Sequence, residues 1–111
     1  MSAPFVIIFR QGPQTLSEDD KARRARETSA WASRVNAAGH ELNPHILGPE
    51  GNLRGAQGVE LSTIWPITAL LTLKARDLAE ATAIAEEHPA LRFGSSVEIR
   101  PWARPVVPPK P

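Results

Sequence analysis

The segment Ile67–Trp102, ITALLTLKARDLAEATAIAEEHPALRFGSSVEIRPW, reads as one strand, one helix and a second strand in unbroken succession, and the remaining segments find their places against it. Ile67, Ala69, Leu71 and Leu73 alternate with Thr68, Leu70 and Thr72, which is the period of a strand. Both sets are apolar or at most threonine, so the strand is expected to be covered on two faces. Asp77, with Glu80 three residues on, is a capping-box-like pair that opens a helix, and Pro89 stops that helix after His88. Ser96 to Arg100 then predicts a final strand with two unlike faces, since Val97 and Ile99 point one way while Ser96, Glu98 and Arg100 point the other. If the oily face packs under the helices, the charged pair lies on the far side of the sheet.

Towards the N-terminus, Phe5-Val6-Ile7-Ile8-Phe9 is a β-branched and aromatic run ended by Arg10 and the turn residues Gly12 and Pro13, the pattern of a central strand apolar on both faces. Ser17 is a good N-cap, and Glu18, Asp19 and Asp20 place negative charge where the helix dipole favours it. The helix they open carries an apolar stripe of Ala25, Thr28, Trp31, Ala32, Val35 and Ala38, anchored by Trp31, and Gly39 supplies the left-handed residue that ends it. The basic run Lys21, Arg23, Arg24, Arg26 in the same helix reads either as a nucleic-acid patch or as a solvated outer face. No aromatic platform is interleaved with it, which favours the solvated face.

Between the two halves, Gly48, Pro49, Gly51, Gly55 and Gly58 break the chain into short pieces. Leu42 to Leu47 predicts a strand, and Pro44 within it, having no ladder donor, argues for a sheet edge followed by a glycine-rich hairpin. Neither GxxxxGK[ST] nor GxGxxG occurs beside Arg54, so a phosphate loop is not expected. The element order is therefore strand, helix, strand, hairpin, strand, helix, strand. That is the α+β, ferredoxin-like βαββαβ arrangement, with both helices on one face of an antiparallel sheet. Apolar side chains on the other face of the two central strands predict a second copy packed sheet to sheet.

A chain of 111 residues is enough for one modest core. Its 13 basic and 12 acidic residues nearly cancel, so no whole-molecule field argues for nucleic acid or an anionic membrane. The absence of cysteine excludes disulfides, thiolate catalysis and thiolate metal ligands, and it fits a reducing compartment. The apolar run Phe5 to Phe9 is far too short for a membrane span and lacks the flanks of a signal peptide, so a cytoplasmic, soluble protein is expected.

In their order and spacing, FVIIFRQG at the first strand, AAGHEL after the first helix, LGPEGNLRG in the hairpin, ARDLAEATAIAEEHPAL over the second helix and SVEIRPW at the end resemble the YCII-related, or DGPF-type, proteins of the dimeric α+β barrel superfamily. The resemblance covers most of the chain up to Trp102. It implies a homodimer whose sheets enclose a small cavity, and metal-free, cofactor-free proton-transfer chemistry on small, often aromatic or quinone-like metabolites. The Asp-Gly-Pro-Phe loop and its following Lys-Glu are absent here, with VELSTIWPI standing in a shortened place.

Two functions are compatible with these features. One is an enzyme of acid–base type acting on a small anionic or aromatic metabolite, with His88 transferring the proton, Arg10 and Arg100 holding negative charge and Glu98 orienting one of them. The other is a non-catalytic binding or accessory domain that has lost its relatives' active-site loop. His88, on the inner stripe with Ala81, Ile84 and Ala85, is otherwise a helix-end histidine bonded to terminal carbonyls. Glu98 and Arg100 are otherwise an ion pair at the subunit contact. His40 and His45 lack helical ligand spacing, so no metal site is expected. Residues 103–111, ARPVVPPKP, form a proline-rich tail of polyproline II type, read either as an SH3-type ligand, Pro105 to Lys110, or as an extended strap along the domain.

Overall fold

The computed structural model describes residues 2–58 and 65–105. Four strands, β1 (Ala3–Arg10), β2 (Asn43–Ile46), β3 (Ile67–Ala75) and β4 (Ser96–Pro101), form an antiparallel sheet of order β2-β3-β1-β4. The helices are α1 (Glu18–Ala37) and α2 (Leu78–Glu86), and a short 3-10 helix, Pro89–Phe93, follows α2. The sheet order and the βαββαβ succession are those expected of a ferredoxin-like arrangement.

Alternation along the strands divides the sheet into two faces. Phe5, Ile7 and Phe9 lie opposite Leu73, Leu71 and Ala69 of β3, and Ile7 and Phe9 also oppose Ile99 and Val97 of β4. These side chains form one core with Trp31 and Val35 of α1 and Ala81 and Ala85 of α2, which places both helices on that face. Small residues on α2 let it lie close to the sheet, whereas Trp31, only 2% exposed, fills the wider gap beneath α1 and donates its indole N–H to the Ile84 carbonyl at 3.3 Å.

The caps follow their sequence signals. Ser17 Oγ accepts the Asp20 N–H at 3.0 Å, and Asp77 Oδ1 accepts the Glu80 N–H at 2.8 Å. Glu80 reaches back to the N–H of Arg76, one residue before the cap, at 2.8 Å. Gly39 has φ 93°, the left-handed value expected just beyond a helix. In β2 the Leu47 N–H donates to Thr68 at 3.0 Å, so the odd-numbered residues carry the ladder bonds and Pro44 turns its donorless nitrogen away from the sheet. That is why an edge strand tolerates it.

Two boundaries differ from expectation in a way that matters for the site. The second helix ends at Glu86 rather than His88, and His88 instead caps the 3-10 helix with Pro89 in its first turn. On α1, Ala25 and Ala38 are exposed, and the stripe is confined to Thr28, Trp31, Ala32 and Val35. No helix among the described residues is long and apolar enough to cross a membrane. The shortened VELSTIWPI segment and most of the Pro105–Lys110 motif lie outside the described residues.

Candidate functional site

The helix side of the sheet carries a half-open cavity of about 560 Å³, within the range of small-molecule sites. Its floor is sheet: Phe9 from β1, Ala69 and Leu71 from β3. Phe93 walls one side, the β1–α1 connection Gln11–Leu16 passes over it, and the N-terminal half of α1 supplies Lys21, Arg24 and Thr28. The helix face that packs onto the sheet through Trp31 and Val35 continues at the same spacing through Thr28, Arg24 and Lys21, so the polar end of that face overhangs the cavity.

Of the basic run on α1, Arg23 and Arg26 are solvated as expected. Arg23 bonds Asp20 at 3.2 Å and lies over the Phe93 ring, 5.2 Å from its centroid. Arg24 departs from the outer face: it is half-buried, lines the cavity, and has no carboxylate partner among the described residues. Lys21 beside it is exposed and paired with Glu18 at 3.3 Å. No Asp or Glu lines the cavity among the described residues.

His88 forms the inner wall. It is 7% exposed and held edge-on between Phe9 and Trp31, with ring centroids 4.7 and 4.6 Å away. Its Nδ1 accepts the Ala90 N–H at 3.0 Å, so in the neutral ring the proton sits on Nε2. Burial first, then the charges of Arg24 and Arg92, push its pKa down to about 4. This histidine is therefore neutral at physiological pH. Its ring neither bonds helix-end carbonyls nor titrates near neutrality, as its sequence position suggested, because the chain turns out of α2 two residues earlier and buries the ring between two aromatics.

Arg10, Glu98 and Arg100 do come together, but on the opposite face of the sheet from His88. Arg10 Nη2 lies 3.6 Å from Glu98, and Arg100 Nε donates to the same carboxylate. The hydrogen bond and charge of Arg100, with a smaller contribution from Arg10, hold the Glu98 carboxyl below its usual range. The expected convergence of His88 with Arg100 does not occur, since residues of opposite parity on β1 and β4 separate them. Trp65 is 54% exposed and outside the cavity, while Phe93 is in its wall.

The other histidines have structural surroundings. His40 Nδ1 lies 2.8 Å from the Lys74 carbonyl and ties the end of α1 to β3, while His45 is exposed on β2. The described residues contain no cluster of three or more candidate metal ligands. The cavity itself went unrecognised in the sequence. The available signal was the spacing of Arg24 from Thr28 and Trp31, four and seven residues, which places a cation on the buried face. The chain matches neither a protein-family model nor a curated protein.

Proposed function

We propose that this chain is a small-molecule-binding protein whose ligand is a small anion held in the helix-side cavity, with Arg24 as the principal charge partner. The observation that carries this is the half-buried Arg24, without a carboxylate partner among the described residues, above an apolar floor. Guanidinium groups removed from water are ordinarily paired, and a ligand carboxylate or phosphate completes the pairing in forked geometry. Lys21 adds positive potential at the same end of the cavity, and Phe9, Leu71 and Phe93 accommodate an apolar body.

Binding is favoured over acid–base catalysis. In the neutral ring Nε2 already carries the proton and Nδ1 is bonded to the Ala90 N–H, so neither nitrogen is free to act as a base, and no carboxylate among the described residues of the cavity wall substitutes for it. The accessory alternative to an enzyme thus has a physical basis. Kinship with the YCII-related proteins rests on the five motifs and their order, and no metal or organic cofactor enters this function.

The same proposal includes a homodimer formed through the outer sheet face, where no described helix lies. Ile8 and Leu70 sit at its middle, and the Arg10–Glu98–Arg100 cluster offers both signs of charge at its edge. On this view those three residues serve the subunit contact and not the ligand.

Thermal-shift and calorimetric titration with a panel of small carboxylates and inorganic phosphate tests the binding function. Parent protein is expected to bind at least one of them, and Arg24→Met, which keeps the side-chain stem, to weaken that binding about tenfold or more. Equal binding by parent and variant places the anion elsewhere and overturns the assignment.

A further inference from the structure

Resting on the anion-binding function above, we propose that the cavity selects carboxylates bearing a neighbouring oxygen acceptor, 2-oxo acids with an apolar side chain, and rejects the corresponding amino acids. The basis is the polarity of the charged side chains and of the buried histidine in the cavity wall. Gln14, Thr15, Thr28 and Ser95 also line it, but their amides and hydroxyls can donate or accept and so do not set the preference. Arg24 and Lys21 are donors only, and they are cationic. His88, the buried polar side chain of the wall, has its only acceptor nitrogen committed to the Ala90 N–H at 3.0 Å. What remains for a ligand is the Nε2–H, a donor without a hydrogen-bond partner among the described residues, on a ring 93% removed from solvent and lining the cavity.

A ligand atom beside His88 must therefore accept. A carbonyl oxygen does so with its lone pairs, and a neutral imidazole polarises it without adding a third positive charge next to Arg24. An ammonium group at the same place meets a donor and two cations, with no carboxylate among the described residues of the cavity wall to receive it. A simple carboxylate with neither group keeps the Arg24 contact but leaves the Nε2–H without its acceptor, the kind of loss by which a buried donor discriminates between close analogues. The apolar floor of Phe9 and Leu71, with Phe93 at the side, then takes the rest of the molecule.

Three matched probes separate these contributions: 4-methyl-2-oxopentanoate, 4-methylpentanoate and leucine, which share a body and differ only at the second carbon. By calorimetric titration the oxo acid is expected to bind the parent about tenfold tighter than 4-methylpentanoate, and leucine to show no heat of binding at millimolar concentration. His88→Asn keeps a short-chain acceptor for the Ala90 N–H while withdrawing the Nε2–H, so it should bind the two acids equally. Nitrogen-15 spectra of the parent's imidazole supply a measurement that needs no variant: the Nε2 resonance should move with the oxo acid and stay with 4-methylpentanoate. Equal affinity of the parent for the two acids, leucine binding as tightly as either, or an unmoved Nε2 resonance at saturation with the oxo acid each overturn the selectivity while leaving anion binding in place. Failure of all three probes and of the wider anion panel overturns the binding function itself, and the selectivity falls with it.

Discussion

His88 Nδ1 and the Ala90 backbone N–H are joined at 3.0 Å, and this one bond decides which nitrogen carries the proton of the neutral ring. The bond is local, two residues apart, and it forms because Pro89 starts a 3-10 turn whose first N–H groups need an acceptor. Chain termination of α2 and the chemical character of the cavity wall thus have the same cause.

Acid should destabilise the fold in a window set by this residue. The folded pKa is about 4 against an ordinary 6.5, so between those values the unfolded chain binds a proton that the folded one refuses. Stability should be level above pH 7 and fall as pH drops from 6.5 towards 4, by about 3 kcal/mol in total. Denaturant midpoints measured at intervals across that range check it. His88→Asn should flatten the upper part of the curve, leaving the loss at lower pH that carboxylates such as Glu98 contribute when they are protonated. A parent curve already flat from pH 7 to 5 would show that the ring is not held neutral.

Trp31→Phe isolates the indole contact. The ring volume shrinks modestly and an aromatic edge remains for His88, but the indole donor to the Ile84 carbonyl is lost, leaving that oxygen the Glu87 N–H at 3.3 Å. A cost of about 1–3 kcal/mol is expected, with the pH window unchanged. A change in that window would mean that Trp31, and not burial in general, sets the His88 pKa.

The fold was legible in the sequence because its signals are periodic and local. Alternation in β1 and β3, the caps Ser17 and Asp77 and the edge marker Pro44 each depend on neighbours a few residues away. The site was less legible because it depends on helix phase and on loop path. Shifting the buried face of α1 by one residue exchanges Ala25 for Arg24, and composition favours alanine there, so the inward-facing cation is read as solvated. Glu98 and Arg100 were placed on the far face correctly by parity, whereas the path from α2 into β4 decides His88, and nothing periodic encodes it.

Gly12→Ala tests how the loop over the cavity is fixed. A Cβ at Gly12 would lie 1.9 Å from the Gly94 carbonyl oxygen, a backbone atom that cannot swing aside, and Gly94 itself holds φ 90° at the end of the 3-10 helix. The two backbones touch and pin the Gln11–Leu16 connection to the turn before β4. Alanine should cost about 1–3 kcal/mol and displace the loop, weakening ligand binding as well. Gly51→Ala, with nothing within 4 Å of its Cβ, should stay within about 0.5 kcal/mol of the parent. Equal stability of the two variants would show that the contact yields without strain.

The outer sheet face makes the final prediction. Val6 is 4% exposed, flanked by Thr72 on one side and Arg100 on the other, and Ile8 and Leu70 beside it are half-buried, so the middle of this face is apolar while Asn43 and His45 are exposed at one edge and Arg100 at the other. A two-fold axis through that middle would bring Ile8 near its own copy and set the Glu98 carboxylate of one protomer towards the exposed Arg100 of the other. A stable contact of this kind buries about 1,200 Å² or more in total, and a four-stranded face is broad enough to supply it. Light scattering behind a sizing column should give twice the chain mass at micromolar concentration. Ile8→Lys lays its stem along the sheet and keeps its charge in water in a monomer, but places two ammonium groups at the axis of a dimer, so it should fold and run at the monomer mass. Raised salt should leave the parent mostly dimeric, since the apolar middle and not the charged edge holds it. A monomeric parent, or an Ile8→Lys variant that remains dimeric, would remove the outer face as the subunit contact.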